Sequence, residues 1–322
     1  MDEVQKVYIG SSSNKGIAWY NFQNGELSQG RWTKDERKCT YLTKWGNHLY
    51  TVVEIDGDDQ QEGGYVVSYT IEKDELKKSM TEPSCGKGPC HITFYPEKHL
   101  LCMSHYTDGT FCVRKQDGKV VFCKTQGQGS HLHCSCVLGE YVMVADVGKD
   151  QLLAYHMQEN EMTLVACYQM KQGSGPRHLI CEQEKIYVIT ENSCEFYEFA
   201  FCEQTFTMKN CIPLLAGEKD STGCAIRMSA NQQNIYITIR GKNTICVLQK
   251  EQEKWKKIQE ISSEGELPWD IQMDKTGQYA LVANTGSNQI SIFSREQENG
   301  TLTYIRKTGG RQSNLYCILR EE

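Results

Sequence analysis

The sequence lacks the long apolar runs that membrane segments need. None of its apolar stretches approaches the roughly 18 residues of a membrane helix, and the N-terminal segment 1–6 has no apolar core of a secretory signal. Of the 322 residues 24% are charged, and the formal net charge is -6, which argues against sequence-independent binding of nucleic acid. We therefore expect a cytoplasmic protein with neither a membrane nor a nucleic acid as partner.

Common catalytic and cofactor motifs are also absent. The chain has no G-x-S-x-G nucleophile elbow, no P-loop and no G-x-G-x-x-G fingerprint. It has 16 cysteines but no CxxC pair. In Cys134-Ser135-Cys136 the two thiols would share one face of a strand, which leaves a soft-metal site open as an alternative. Without an export signal, we expect the thiols to be reduced and packed as small hydrophobes, with no disulfides.

Segments with the helical period of 3.6 residues are missing, and short runs with a period of two dominate. Strongly apolar runs recur about every 45 residues, and each is followed by further, increasingly polar strand-like runs. The apolar runs lie at 6–12, 48–54, 99–105, 140–146, 185–191, 234–240 and 278–284. This period and length predict the four-stranded blades of a β-propeller.

The order of the runs predicts how the ring closes. First strands begin near residues 39, 91, 133, 178, 225, 270 and 314, and the last has no strands after it. We therefore predict an all-β chain forming a single domain over 1–322, a seven-bladed β-propeller with four antiparallel strands per blade. The C-terminal strand would complete the N-terminal blade and leave no free edge. The segment 56–64 is expected to be the longest turn insertion and to be mobile.

Strand direction places the candidate site residues at one rim of such a propeller. The start of each first strand and the end of each second strand lie at the same mouth. These positions hold His91, His131, His133, Arg177, His178, Asp270, Glu54, His105, Tyr106, Asp146, Glu191, Arg240 and Asn284. Asp146 and Asn284 look like turn residues, since each is followed by a tight return. Glu191 and Arg240 would need partners, either each other or an anionic ligand.

This set of residues suits an anionic substrate that carries an ester or lactone. Arg177 and Arg240 offer planar, permanently charged forks for a phosphate or carboxylate. His133 could act as a general base near neutral pH, with Glu191 orienting it or serving as base itself. A metal held by several of the rim histidines is the alternative, although no cysteine or carboxylate completes a recognised ligand set.

The ordered motifs resemble those of the lactonase-type seven-bladed propellers, which include the propeller form of 6-phosphogluconolactonase and the carboxy-cis,cis-muconate cyclases. The motifs are GPCH at 88–91, SHLH at 130–133, DVGKD at 146–150, GSGPRH at 173–178, Glu191, RG at 240–241 and VAN at 282–284. The resemblance implies a cofactor-free site at the channel mouth, with no metal. The matching catalytic residues would be His133, Glu191, Arg177 and Arg240. We expect His91, His131, His178, Tyr106 and Glu54 to bind substrate.

Three positions depart from the family pattern. Trp269 stands where the family commonly has arginine, Ala225 where an acidic residue is common, and His105 where asparagine is common. Losing an arginine would weaken phosphate binding. The expected function is hydrolysis of a sugar-acid lactone, first of all 6-phosphogluconolactone of the pentose phosphate pathway. The alternatives are a carboxymuconate-type lactonising cyclase and a non-catalytic ligand- or partner-binding propeller. The sequence does not indicate an oligomeric state.

Overall fold

The chain folds into short antiparallel strands. The computed structural model describes residues 3–11, 16–33, 38–55, 63–158, 161–215, 220–308 and 315–320. Within these ranges the helical structure is limited to one 3₁₀ turn, Pro96–Lys98, and no helix there is long and apolar enough to cross a bilayer. The strands β1 to β28 are, in chain order, Gln5–Ser11, Ala18–Gln23, Glu26–Trp32, Cys39–Trp45, His48–Val53, Tyr65–Glu72, Glu75–Pro83, Pro89–Tyr95, Leu100–His105, Thr110–Lys115, Val120–Thr125, Leu132–Leu138, Tyr141–Asp146, Gln151–Gln158, Glu161–Gln169, Pro176–Glu182, Lys185–Thr190, Glu195–Cys202, Thr205–Pro213, Thr222–Met228, Asn234–Arg240, Thr244–Glu251, Lys254–Ser262, Pro268–Met273, Tyr279–Asn284, Gln289–Arg295, Leu302–Thr308 and Leu315–Arg320.

The chain divides into two compact units. Unit 1 comprises 1–38 and 212–322, and unit 2 comprises 39–211. Unit 2 contains the four-stranded groups β4–β7, β8–β11, β12–β15 and β16–β19, each paired in chain order. Unit 1 contains β20–β23 and β24–β27, and there β28 pairs antiparallel with β1, which continues into β2 and β3. The predicted pairing of the C-terminal strand with the first apolar run is therefore confirmed.

The polarity of the strands explains their order in each sheet. The second strand is buried along almost its whole length, as in Tyr141–Asp146, whereas the fourth strand alternates and is largely exposed, as in Thr205–Pro213. The fourth strand is an edge that faces solvent, which its polar residues tolerate. Apolar side chains of adjacent sheets interdigitate: in unit 2, Phe111 and Val113 of β10 share one cluster with Val142 and Val144 of β13. The predicted rise of polarity across each four-stranded group is confirmed.

The expectation that the chain has no disulfide is wrong. Cys136 of β12 and Cys181 of β16 are bonded to each other, with a Cα–Cα distance of 6.0 Å. Both lie on first strands of neighbouring sheets in unit 2, where side chains of the two strands face each other. Cys134 faces the same neighbour, since its sulfur accepts the Leu179 N–H at 3.4 Å. The two thiols of Cys134-Ser135-Cys136 therefore do share one face, as predicted.

Two sequence predictions fall on residues outside the description. Asn314, the expected start of the last strand, is one of them; the described part of that strand begins at Leu315. The other is the insertion at 56–64, of which only Gly63 and Gly64 are described.

Candidate active site

A β-bulge near the start of the first strand places the candidate residues. In β4, β8, β12, β16 and β24, the ladder to the next strand skips one residue immediately after the first. The skipped residues are Thr40, Cys90, His133, Arg177 and Trp269, and the residues after them are Tyr41, His91, Cys134, His178 and Asp270. A bulge bends the strand and re-aims the side chains at that point. The same local irregularity thus presents two consecutive side chains per strand at equivalent positions.

His91 is held in place by the neighbouring strand β12. Its Nδ1 accepts the Ser135 backbone N–H at 3.4 Å, and its Nε2 lies 3.3 Å from Cys134 Sγ. This pattern places the proton of a neutral imidazole on Nε2, where it faces the sulfur. The ring also packs on Tyr41 with a centroid distance of 4.2 Å, and the residue is only 5% exposed. His91 therefore links β12 to Tyr41 and holds both in place.

Arg177 and Glu191 form the central ion pair of unit 2. Arg177 Nε lies 3.1 Å from Glu191 Oε2, with side chains 2% and 21% exposed respectively. Arg177 Nη1 also approaches His178 Nε2 at 3.2 Å. Since an arginine can only donate, Nε2 of His178 accepts and its ring is neutral, with the proton on Nδ1. The exposed portion of Glu191 leaves a carboxylate edge that can meet a ligand or water.

His133 lies beside His178, the ring that Arg177 contacts. Its ring is 5.1 Å from that of His178 and 5.9 Å from that of Tyr106, measured between centroids. The Cys90 thiol donates to the His133 carbonyl oxygen at 3.5 Å, which fixes the backbone of this residue. Burial raises the pKa of the Cys90 thiol well above its ordinary value, and the nearby charge of Glu54 adds to this. Cys90 is therefore a neutral donor to the backbone.

Tyr106 and His131 form a second, more exposed pair at the edge of the His133 ring. Their rings stack with centroids 4.7 Å apart, and His131 Nδ1 lies 2.7 Å from the Tyr106 carbonyl oxygen. The phenol is 38% exposed, so it is open to a ligand.

The glycine corner before Arg177 is held by a carboxylate. Asp150 accepts the N–H groups of Gly173 and Gly175, each at 2.7 Å. Gly175 has a φ of +64°, and a Cβ there would lie 2.7 Å from Asn192 Nδ2, so only glycine fits without rearrangement. The turn delivers Pro176 opposite Thr190, which sets Arg177 beside Glu191.

Of the nine predicted site residues, Arg240 is the one that belongs to unit 1. It ends β21, and its guanidinium lies 4.4 Å above the ring of Trp269, the skipped residue of β24. A cation on an indole face is a favourable contact that holds the arginine in one orientation. The tryptophan at this position, which departs from the family pattern, thus engages an arginine directly.

Four of the rim residues make structural contacts. Asp146 is fully buried and accepts the hydroxyl of Ser130 at 2.6 Å, and Asn284 donates to Ser291 Oγ at 2.9 Å. These contacts agree with the turn role predicted for both. His105 is also fully buried, with Nδ1 2.9 Å from a backbone carbonyl. Asp270 accepts the Ile318 N–H at 3.0 Å and pairs with Arg227 at 2.8 Å.

Tyr41, Cys90 and Cys134 are part of the cluster in unit 2 but were not predicted as site residues. In the sequence, Cys90 belongs only to the GPCH motif, Cys134 only to the CxC pair considered for a soft metal, and Tyr41 to no motif. Aligning the first strands at their bulges would have found all three, because they occupy the same two positions as His133, Arg177 and His178. The available sequence signal is the proline that directly precedes the skipped residue in three of the five strands, at Pro89, Pro176 and Pro268.

The cluster in unit 2 combines the groups that acyl transfer needs. Arg177 provides a fixed positive charge, Glu191 a carboxylate, and His133 an imidazole next to an exposed phenol. Such groups can stabilise an oxyanion and take a proton from water. Among the described residues, no group of three or more His, Cys, Asp or Glu side chains is arranged to hold a metal ion.

Comparison with known proteins gives consistent matches over the whole chain. A family model described as "Lactonase, 7-bladed beta-propeller" matches residues 6–318. A 6-phosphogluconolactonase of Bacillus subtilis (strain 168) is 25% identical over 94% of each chain. Another of Formosa agariphila is 27% identical over 81% of this chain and 82% of its own. The periplasmic gluconolactonase PpgL of Pseudomonas aeruginosa superposes with a TM-score of 0.90 at 20% identity, with 99% of each chain covered.

Proposed function

The chain belongs to the lactonase family of seven-bladed β-propellers, and we propose that it hydrolyses 6-phosphogluconolactone to 6-phosphogluconate. The protein is a lactone hydrolase with a β-propeller fold. Two relatives that match over most of their length are named for this substrate. The observation that carries the proposal is the buried Arg177–Glu191 ion pair beside His133 in unit 2.

The proposed reaction is attack of water on the lactone carbonyl. His133 acts as general base and passes the proton on to the ring oxygen as the C–O bond breaks. Glu191 orients the base and holds Arg177, whose guanidinium then faces the developing oxyanion or the anionic group of the substrate. Charge aimed at an oxyanion is often the largest catalytic contribution. The contact of Glu191 with Arg177 at 3.1 Å supports the second part of its role.

The remaining predicted residues have graded support. Tyr106 is exposed and the half-buried His131 stacks on it, which fits a role of this pair in binding the sugar. His91 and His178 each use a ring nitrogen on a protein group, which favours positioning over direct binding. Glu54 influences Cys90 electrostatically, and its contact with substrate stays a prediction.

We propose Arg240 as the second arginine because of its position in its strand. It is the last residue of β21, and Glu191 directly follows the equivalent strand β17. Trp269 keeps its guanidinium in one orientation. Which arginine faces the oxyanion and which the phosphate is part of what the experiment below resolves.

We further propose that the four-stranded groups form seven blades of one closed, single-domain propeller. The β28–β1 pairing supports the closure, and the family description supports the number. The cytoplasmic location expected from the sequence stays a prediction, which fractionation of cells expressing the chain would test.

The test is hydrolysis of freshly prepared 6-phosphogluconolactone, followed against its spontaneous rate. We expect the wild-type protein to hydrolyse the lactone well above the spontaneous rate. Substituting the arginine that faces the oxyanion should lower kcat about 10²–10³-fold. The arginine that holds the phosphate should mainly raise KM. Arg177→Gln and Arg240→Ala are compared with Arg306→Gln, a control at an exposed arginine.

Unphosphorylated gluconolactone and a carboxymuconolactone serve as competing substrates. A folded protein that leaves the phosphorylated lactone at its spontaneous rate would remove this substrate. Turnover of the muconolactone alone would instead establish the cyclase alternative. Unchanged kinetics in Arg240→Ala would remove Arg240 from the site.

A further inference from the structure

A buried arginine in β10, far along the chain from the catalytic arginines, lacks a conventional counterion. Arg114 is 1% exposed. Its Nη2 donates to the Pro83 carbonyl and lies 3.3 Å from Cys85 Sγ. In the part of the chain that the structure describes, Nε and Nη1 of Arg114 have no hydrogen-bond partner, and no carboxylate forms an ion pair with it. A guanidinium stays charged under all ordinary conditions, so its burial calls for a negative partner.

Cys85 is the group placed to supply that negative charge. It lies in the turn between β7 and β8, with its backbone in the left-handed region at a φ of +70°, and its side chain is exposed. A thiol can lose its proton and become an anion at modest cost. The Pro83 carbonyl, which accepts from the same guanidinium, cannot. A thiolate at Cys85 would neutralise the buried charge while staying accessible to small molecules.

Two further cysteines lie beside it. Cys112 of β10 and Cys123 of β11 are paired directly across the two strands. Cys123 Sγ lies 3.6 Å from the Cys85 carbonyl oxygen, and the buried Cys112 thiol is within hydrogen-bonding reach of both other sulfurs. We call Cys85, Cys112 and Cys123 the thiol cluster.

The charges around the thiol cluster favour ionisation at Cys85. The hydrogen bond from Cys112 lowers the pKa of Cys85 most, partial burial opposes it, and the charge of Arg114 lowers it further, to about 6. Glu82 on β7 opposes the shift weakly. The pKa of Cys112 is raised, through its hydrogen bonds to the two neighbouring sulfurs and through burial, so it keeps its proton and acts as the donor.

We propose that the thiol cluster is a site of oxidation by hydroperoxides, in which the Cys85 thiolate held by Arg114 is the attacking group. The sulfur attacks the distal oxygen of the hydroperoxide, the O–O bond breaks, and the leaving alkoxide or hydroxide takes a proton. This gives the sulfenic acid Cys85–SOH. The Cys112 thiol then displaces the hydroxyl, which leaves with the thiol proton as water, and a Cys85–Cys112 disulfide results.

Competitive alkylation of the full-length protein tests the first step. At pH 6 about half of Cys85 would be thiolate, against about 0.3% of an ordinary thiol of pKa about 8.5. A low-pKa thiolate is a weaker nucleophile, which reduces the advantage in thiolate fraction about 13-fold. We therefore expect iodoacetamide to label Cys85 about tenfold faster than an ordinary thiol at pH 6. The exposed Cys202 is the reference thiol. Labelling of Cys85 should level off above pH 7, where a thiol of ordinary pKa still gains thiolate as pH rises.

Variants at Arg114 separate its charge from its packing. Arg114→Gln should abolish the excess labelling at pH 6, and Arg114→Lys should restore part of it. If Arg114→Gln does not fold, as judged by its urea midpoint, the wild-type pH profile still decides the matter. A Cys85 rate at pH 6 no greater than that of Cys202, rising tenfold per pH unit up to 8, would overturn the proposal.

Treatment with one equivalent of hydrogen peroxide tests the second step. Peptide mapping under non-reducing conditions should show a new Cys85–Cys112 link with a loss of 2 Da, following from the balance above. In Cys112→Ser, dimedone should trap the sulfenic acid at Cys85. Oxidation that spreads equally to Cys202, or a link from Cys85 to another cysteine, would contradict the assignment.

Discussion

The buried ion pair of Arg177 and Glu191 gives the sharpest test of the site's energetics. The two side chains differ in exposure, at 2% for the arginine and 21% for the glutamate. Removing the charge of Glu191 takes an ion-pair partner from an almost fully buried guanidinium, whereas removing Arg177 leaves a carboxylate that can still reach water. The two single substitutions should therefore have unequal costs, with Glu191 the more costly one.

The magnitude follows from the burial of the group left behind. Breaking a fully buried pair costs about 3–5 kcal/mol, and the partial exposure of Glu191 places the cost of Glu191→Gln just below this range, at about 2–3 kcal/mol. Arg177→Met keeps apolar volume and should cost about 1 kcal/mol, because the freed carboxylate hydrates. The double variant removes both charges and should recover about half of the summed loss of the two single variants, which gives a coupling energy of about 1–2 kcal/mol.

Urea denaturation of the four proteins measures these differences. Glu26→Gln is the control, since its pair with Arg306 has side chains 62% and 47% exposed and should contribute at most about 0.5 kcal/mol. The three variants at Arg177 and Glu191 should all lose lactonase activity, including the double variant, whereas Glu26→Gln should keep it. The reasoning fails if Glu191→Gln is no less stable than Arg177→Met, or if the double variant loses the sum of the two.

Two further predictions concern neighbouring residues. Trp269→Ala removes the cation–π contact with Arg240, so it should lower the free energy of unfolding by about 1 kcal/mol and raise KM for the phosphorylated lactone. The control Trp45→Ala should leave KM unchanged. An unaltered KM in Trp269→Ala would contradict a role for this contact. Burial lowers the pKa of His105 despite its bond to the Thr110 carbonyl. Its contribution to stability is therefore complete above the unfolded pKa of about 6.5 and is lost as pH falls through the lower folded value, by at most about 1.4 kcal/mol per pH unit. His105→Gln should flatten the decline in urea midpoint between pH 7 and 5, and equal slopes would refute this.

The strands were predictable because their signals are local. Alternation and turn residues placed the run 234–240 at the observed bounds of β21, and the other six second-strand runs were placed within about one residue. Rim residues followed from strand direction alone. The partners of those residues were not predictable in the same way. Glu191 pairs with Arg177, and pairing with Arg240 was one option left open, since side-chain length and hydrogen-bond geometry decide such contacts.

The bulges explain why the site is more regular than its residues suggest. A first strand must turn its polar groups toward the rim while its next residues pack into the core, and one skipped ladder position achieves both. Because neighbouring first strands face each other one blade apart, residues about 45 positions apart come into contact. Cys136–Cys181 and Cys224–Trp269 are both separated by 45 residues. The repeat length that predicted the fold therefore also carried the information for the disulfide, which compartment arguments about cysteine chemistry wrongly excluded.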